Sequence, residues 1–391
     1  MEFHKDLGPA GGDRNWKAAA KKLAASDRTR IAHIDSGLFP HPAIGYSGET
    51  PPGNLRLDLG RNLYDPLQSP FGAAPLTDLT RNPTLFSDAL EFPDHGVKTL
   101  SVILSDTKEF RGIAPGTTIV PYRVSNGPLF RSGVGGPYAR SKKATATIGK
   151  AIDHALSLDP MPRVISISMG NPGALGPFQP IINFLGGDLG MAKEVGRAIA
   201  RAYARGVIVV CAAGQIIDRV VYPARYAQTI AVGGYALSGA VKTHYPRGGY
   251  NAPVFVDAWT LAVGLNRASG LRQADGAITP TYAKDEGGDP DDLSGTSYAA
   301  PALAATAAMW IETHHDALAD ASFAGPGQAW RTVEAFRHIL REVLPAEQIA
   351  SGRHSRETKT IRSLDIERVL KTPPDPAVNY RRREDAGRGF F

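Results

Sequence analysis

Three side chains, far apart along the chain, have the types and settings that nucleophilic catalysis needs. Asp35 follows the apolar run "RIAHI" and opens "DSG"; His95 opens "HGVKTLSVI"; Ser297 sits in the Gly-flanked turn "SGTSYAAP", ahead of a long apolar run. A serine hydroxyl is a weak nucleophile until a neighbouring base takes its proton. Neutral histidine suits that task, because its ordinary pKa of about 6.5 lies near working pH. A buried carboxylate would hold the imidazole in the right tautomer and stabilise the imidazolium as it forms. A serine N–H at a helix N-terminus points toward an oxygen that becomes negative. Taken singly, Asp35 reads as a turn residue and His95 as a helix-opening residue without chemistry. The Gly-Thr-Ser turn has little structural necessity, and the three together point to a nucleophile with its base and orienting acid.

These residues can meet only if the elements around them bring them together. Residues 16–25 have a helical face of Trp16, Ala20, Leu23 and Ala24, and residues 30–34 read as a buried strand running into a turn. Residues 45–94 are loop-dominated, with "NLRLDLGRNLY" the one strand-like run, and residues 95–105 resemble a helix. Strand patterns follow at 117–124, 163–169, "VIVVCAA" and "QTIAVGG". Between them lie a helical stripe of Ile148, Ile152, Ala155 and Leu156, and a second of Val195, Ile199 and Tyr203 ending at Gly206. Apolar strands alternating with amphipathic helices predict an α/β fold: a central, mostly parallel sheet with helices on both faces. Ligands of such sheets gather beyond the carboxyl ends of the strands. Asp35, the Ser168-Met169-Gly170 run and the Gly214-Gln215 pair fall at such ends and are expected to cluster. The helix after Ser297 carries Pro301, expected in the first turn, where the missing N–H costs little. Another helix is predicted over 331–343, and no internal repeat is evident.

Composition narrows the function classes. The chain has 391 residues, 42% hydrophobic and 21% charged, which fits neither a disordered nor a fibrous protein. No apolar run reaches the 18 or so residues that span a bilayer, so no membrane partner is expected. The single cysteine, Cys211, rules out an intramolecular disulfide and a cysteine-based zinc site, and its place in an apolar strand makes it core. His314 and His315 read as exposed residues ending a helix rather than metal ligands. The net charge of +6 would suit nucleic acid, but no such motif accompanies it, and the one dense basic run, Arg381 to Arg383, reads as part of a solvated tail. The N-terminus lacks the basic cap and apolar run of a secretory signal, so a cytoplasmic setting is expected unless a signal has been removed.

The three segments "IDSG", "DHG" and "SGTSYAAP" resemble the hallmarks of the subtilisin-like serine proteases, the subtilases, in that family's Asp–His–Ser order. "RGIAPGTTIVPYRV", "AIDHALSLDPMPRVISISMG", "ARGVIVVCAAG" and "YPARYAQTIAVGG" resemble further family blocks, and "LDIERVL" its closing segment. The resemblance implies a serine endopeptidase acting on a peptide or protein substrate through an acyl-enzyme, without a cofactor. Asp35 would be the orienting acid, His95 the general base and acid, and Ser297 the nucleophile. Ser168, Met169 and Gly170, with Gly214, would pair with substrate backbone and line the pocket before the cut, the opposite wall falling within 125–136.

Two departures from the family pattern bear on activity. Gln215 stands where relatives carry the asparagine that, with the Ser297 N–H, forms the oxyanion hole. The amide survives on a chain one methylene longer, which suits either a working hole or a catalytically weak, peptide-binding module. His41-Pro42-Ala43 and "SDTKEFRG" replace segments that bind calcium in relatives, so that site is expected to be missing and no metal is assigned. The expected organisation is an N-terminal extension over 1–28, packed as a helix outside the cleft, a peptidase domain over 29–370, and a basic tail over 371–391. The oligomeric state stays open.

Overall fold

The computed structural model describes residues 13–48, 50–64, 94–125, 137–170, 193–214, 220–238, 241–244, 256–272, 278–284, 295–350 and 358–383. In chain order the strands are β1 (Ile31–Asp35), β2 (Arg61–Asn62), β3 (Ile119–Arg123), β4 (Val164–Ile167), β5 (Ile208–Ala212), β6 (Ile230–Ser238), β7 (Val241–His244) and β8 (Ala258–Leu261). Seven of them form a parallel sheet in the order β2-β3-β1-β4-β5-β6-β8. The register is fixed by the apolar runs: Ile31 lies opposite Ile119 on one side and Val164 on the other. Every residue of β1, β3, β4 and β5 is buried. That is what a parallel sheet covered on both faces requires, and why these strands read as unbroken apolar runs. The α/β expectation holds.

Helices α1 (Asp13–Ala24), α2 (His95–Leu104), α3 (Pro137–Ser157), α4 (Lys193–Ala204), α5 (Thr296–Thr313), α6 (Trp330–His338) and α7 (Ile366–Lys371) clothe the sheet. α2 and α5 pack on each other and on one face, with α1 and α7 outside them. α3 and α4 pair on the other face, with α6 beside α4. From Thr296 to Glu312 every residue of α5 is buried, and seven of these are alanines, small enough to let the helix sit close to β4, β5 and β6. Pro301 lies at the sixth position of α5, inside the helix rather than in its first turn. Its missing N–H leaves the Ser297 carbonyl without the usual intrahelical donor. Among the described residues no helix is long and apolar enough to cross a membrane.

Strands outside the parallel set were not evident from periodicity. β9 (Asn266–Arg272) and β10 (Ile278–Lys284) form an antiparallel hairpin lying on α2. β11 (Ala346–Ala350) and β12 (Thr358–Arg362) form another, extending the main sheet beyond β7. The strand-like stretch near residue 55 supplies only β2 and an isolated bridge from Leu55 to Ile119.

The segment after α7 also departs from expectation. Through residue 383 it has no regular structure, yet it is pinned to the body. Tyr380 is buried, the Arg383 guanidinium lies 3.1 Å from Glu334, and the Arg383 N–H donates to the Tyr203 hydroxyl. Glu334 is buried on α6 beside Arg337, whose guanidinium grips Asp257 through two hydrogen bonds of 2.8–2.9 Å and caps the carbonyls of Ala227 and Thr229. Buried charges need partners, so this basic residue is recruited inward rather than left in water.

Candidate active site

Asp35 is the last residue of β1, wholly buried, and the turn it enters is tight. Gly37 has φ 102°, a conformation that favours glycine, and the N-terminal turn of α2 sits directly on it: a side-chain carbon at Gly96 would overlap the Gly37 carbonyl. The Gly96 N–H donates to the Ser36 hydroxyl at 2.9 Å. Strand end and helix start are thereby locked together, and the next side chain on the helix, His95, meets the acid. Its Nδ1 lies 2.7 Å from Asp35 Oδ1. The Ser36 N–H donates to the same oxygen at 2.7 Å, and the Thr99 hydroxyl to Oδ2 at 3.0 Å. Burial alone would push the Asp35 carboxyl up; the His95 ring, His33 and the Ser36 amide outweigh it and hold the carboxyl below its ordinary range. From outside, β9 clamps α2. The Ala268 N–H donates to Ser101 Oγ, and Asp94 takes Ser269 Oγ at 3.0 Å and Lys98 Nζ at 2.9 Å.

Ser297 is the second residue of α5, so its N–H is among the four that a helix start leaves without intrahelical partners. Its hydroxyl donates to the Ser168 carbonyl at 3.0 Å, at the carboxyl end of β4. His95 Nε2 is buried and has no hydrogen-bond partner among the described residues. The His95 ring lies 6.4 Å, centroid to centroid, from Tyr298, the residue after the serine. Thr296 binds the serine turn to the β5 end: its hydroxyl accepts the Gly214 N–H at 3.0 Å. Gly214 has φ 90°, and both it and Gly170 pack against Val221 with no room for a side chain. One end of the sheet thus gathers an acid held by three donors, an imidazole on it, and a serine at a helix N-terminus.

The model for the subtilase family matches residues 29–340. The chain belongs to the subtilase family. The family is one of serine proteases, whose substrates are peptides or proteins. No curated protein matches this subtilase in sequence. Among solved structures, a protease of Pseudoalteromonas arctica shares the fold at 18% identity and a TM-score of 0.59, covering 94% of this chain and 95% of its own. The prenylagaramide maturation protease PagA aligns over 93% of this chain and 96% of its own, at 14% identity and a TM-score of 0.46.

Asp35, His95 and Ser297 of this subtilase lie at one end of the sheet with Ser168, Met169, Gly170 and Gly214. Gln215 and residues 126–136 lie outside the described residues. Met169 is buried, and the Ser168 hydroxyl is buried with no hydrogen-bond partner among the described residues. In the two segments that replace the calcium-binding ones of relatives, Ala43 brings no side-chain oxygen and Asp106 is paired with Arg111 at 3.2 Å. Among the described residues no group of three His, Cys, Asp or Glu is placed to hold a metal ion. His314 and His315 are both half-buried rather than exposed as expected: the His314 ring lies on the Leu370 carbonyl, and His315 sits beside Asp316. Sequence reading passed over His33 and Thr99, both in contact with the acid's surroundings. The period of two along β1, which puts residues 33 and 35 on one face, was the available signal.

Proposed function

We propose that this subtilase is an endopeptidase that cleaves by acyl transfer, with Ser297 as nucleophile, His95 as general base and acid, and Asp35 as orienting acid. The observation that carries the reading is the 2.7 Å contact of His95 Nδ1 with a wholly buried carboxylate. It commits the Nδ1 proton to Asp35, so Nε2 presents its lone pair. A rotation of the Ser297 hydroxyl from the Ser168 carbonyl toward Nε2 then gives the base its proton. Attack on the peptide carbonyl puts negative charge on an oxygen facing the Ser297 N–H, with the Gln215 amide as the second donor. Losing one such donor costs on the order of 10²–10³ in turnover, a magnitude established on subtilisin itself. His95 then protonates the leaving amine, and water releases the acyl-enzyme by the reverse path. Substrate backbone would lie along Ser168, Met169 and Gly170 as an added strand.

Wild type and Ser297→Ala are incubated with a diverse peptide mixture, and the cuts are mapped by mass spectrometry. The expected result is cleavage by wild type alone, with an active-site phosphonate labelling Ser297. Peptide binding without turnover, equal in the two proteins, would refute the reading.

A further inference from the structure

Beneath the Asp35–His95 pair lies a second histidine that the proposed reaction does not use. His33 precedes Asp35 by two residues on β1, so both side chains leave the same face, under α2. Only 1% of it is exposed. Its Nε2 lies 3.2 Å from the Gly96 carbonyl, 3.2 Å from Thr99 Oγ1 and 3.9 Å from Asp35 Oδ2, while its Nδ1 is buried with no hydrogen-bond partner among the described residues. A carbonyl only accepts, so Nε2 carries the proton and Nδ1 is bare. Burial keeps a second proton off this ring despite the nearby Asp35 charge.

That tautomer decides where the Thr99 hydroxyl points. Its acceptors in reach are Asp35 Oδ2 at 3.0 Å and the carbonyls of His95 and Gly96 at 3.1 Å each. The side toward His33 is filled by a proton, and a hydrogen bond to a carboxylate is stronger than one to a carbonyl. The hydroxyl proton therefore goes to Oδ2. This leaves Oδ1 for His95 and the Ser36 amide.

We infer that His33 and Thr99 are positioning residues for Asp35: the His33 Nε2–H orients the Thr99 hydroxyl onto Oδ2, which fixes the carboxylate plane so that Oδ1 faces His95. The inference rests on the endopeptidase reading above. In full-length protein, Thr99→Val removes the hydroxyl at constant shape and Thr99→Ser keeps it. His33→Leu removes the donor, while His33→Gln carries an N–H at the same reach. Thr99→Val and His33→Leu are expected to lower kcat about tenfold, the loss expected for one charged hydrogen bond, with KM within about twofold. Serine and glutamine at the respective positions should restore most of the loss. Equal kcat in the Val, Ser and wild-type proteins would overturn the inference.

A second readout does not need turnover. The downfield proton resonance of His95 Nδ1–H, followed in Ser297→Ala, should move when Thr99→Val is added and return with Thr99→Ser. A resonance unmoved by the valine overturns the positioning role. Absence of turnover in wild type would sink the endopeptidase reading instead and leave this resonance to decide on the two residues.

Discussion

Replacing Gly96 by alanine tests how the acid and the imidazole are brought together. The added methyl carbon would lie against the backbone oxygen of Gly37, 3.0 Å from its nitrogen and 3.1 Å from its carbonyl carbon. To restore van der Waals contact with the oxygen, the first turn of α2 must back away from the β1 turn by about 1 Å. Neither side can yield by rotating a side chain, because both are backbone. His95 travels with that turn, so its 2.7 Å contact with Asp35 opens toward the limit of a hydrogen bond. A misplacement of about 1 Å costs on the order of 10²-fold in rate, and the overpacking costs about 1–3 kcal/mol of stability. The assay compares kcat/KM on a fluorogenic peptide with the melting curve of the same protein. The expected outcome is a loss of about 100-fold in a protein that still melts cooperatively. Wild-type turnover with an unchanged melting temperature would refute the argument that Gly37 and Gly96 set this geometry.

The other predictions concern the scaffold. Arg337→Met strands Asp257 and Glu334 without their main partner and should cost about 3–5 kcal/mol in urea unfolding. Arg201→Met, on the exposed pair with Asp153, should leave the midpoint unchanged. Burial lowers the pKa of His33 and His41, so the unfolded chain takes up their protons first. Stability should therefore decline as pH falls below about 6.5, by up to about 1.4 kcal/mol per pH unit per ring. Burial would raise Asp257, but Arg337 and Arg341 outweigh it and hold it low. A further loss should therefore begin as pH drops below about 3.9 and run down through its lower folded value. Urea midpoints flat between pH 8 and pH 5 would contradict the histidine part. Cys211 is wholly buried and its thiol pushed up by burial, so a thiol reagent should modify it only at the rate of global unfolding.

What the sequence made legible follows from where its signals are strong. Strands buried on both faces read as unbroken apolar runs, and helices over them as stripes, so β1, β3 to β6 and α1 to α5 could all be located. Because ligand sites of parallel sheets lie beyond strand carboxyl ends, Asp35, Ser168 and Gly214 could be expected together. The hairpin of β9 and β10 escaped because its strands carry Arg267, Arg272, Pro280 and Lys284, with no clean alternation, and owe their place to contacts with α2. The pinned segment near Tyr380 escaped because the acid that attracts Arg383 lies 49 residues earlier. His33 was hidden in plain view within an apolar run, because burial of a polar ring depends on partners that no local window contains.

The unstructured stretch from 372 to 383 has a bearing on survival. If substrates are bound as the added strand proposed above, a coil of this kind on the protein's own surface would be a ready target for a neighbouring molecule. Burial of Tyr380 and the link from Arg383 to Glu334 withdraw it. Under the endopeptidase reading proposed above, a second copy would have to wait for the stretch to peel away before cutting there, so the ionic cluster that steadies the interior would also limit self-digestion.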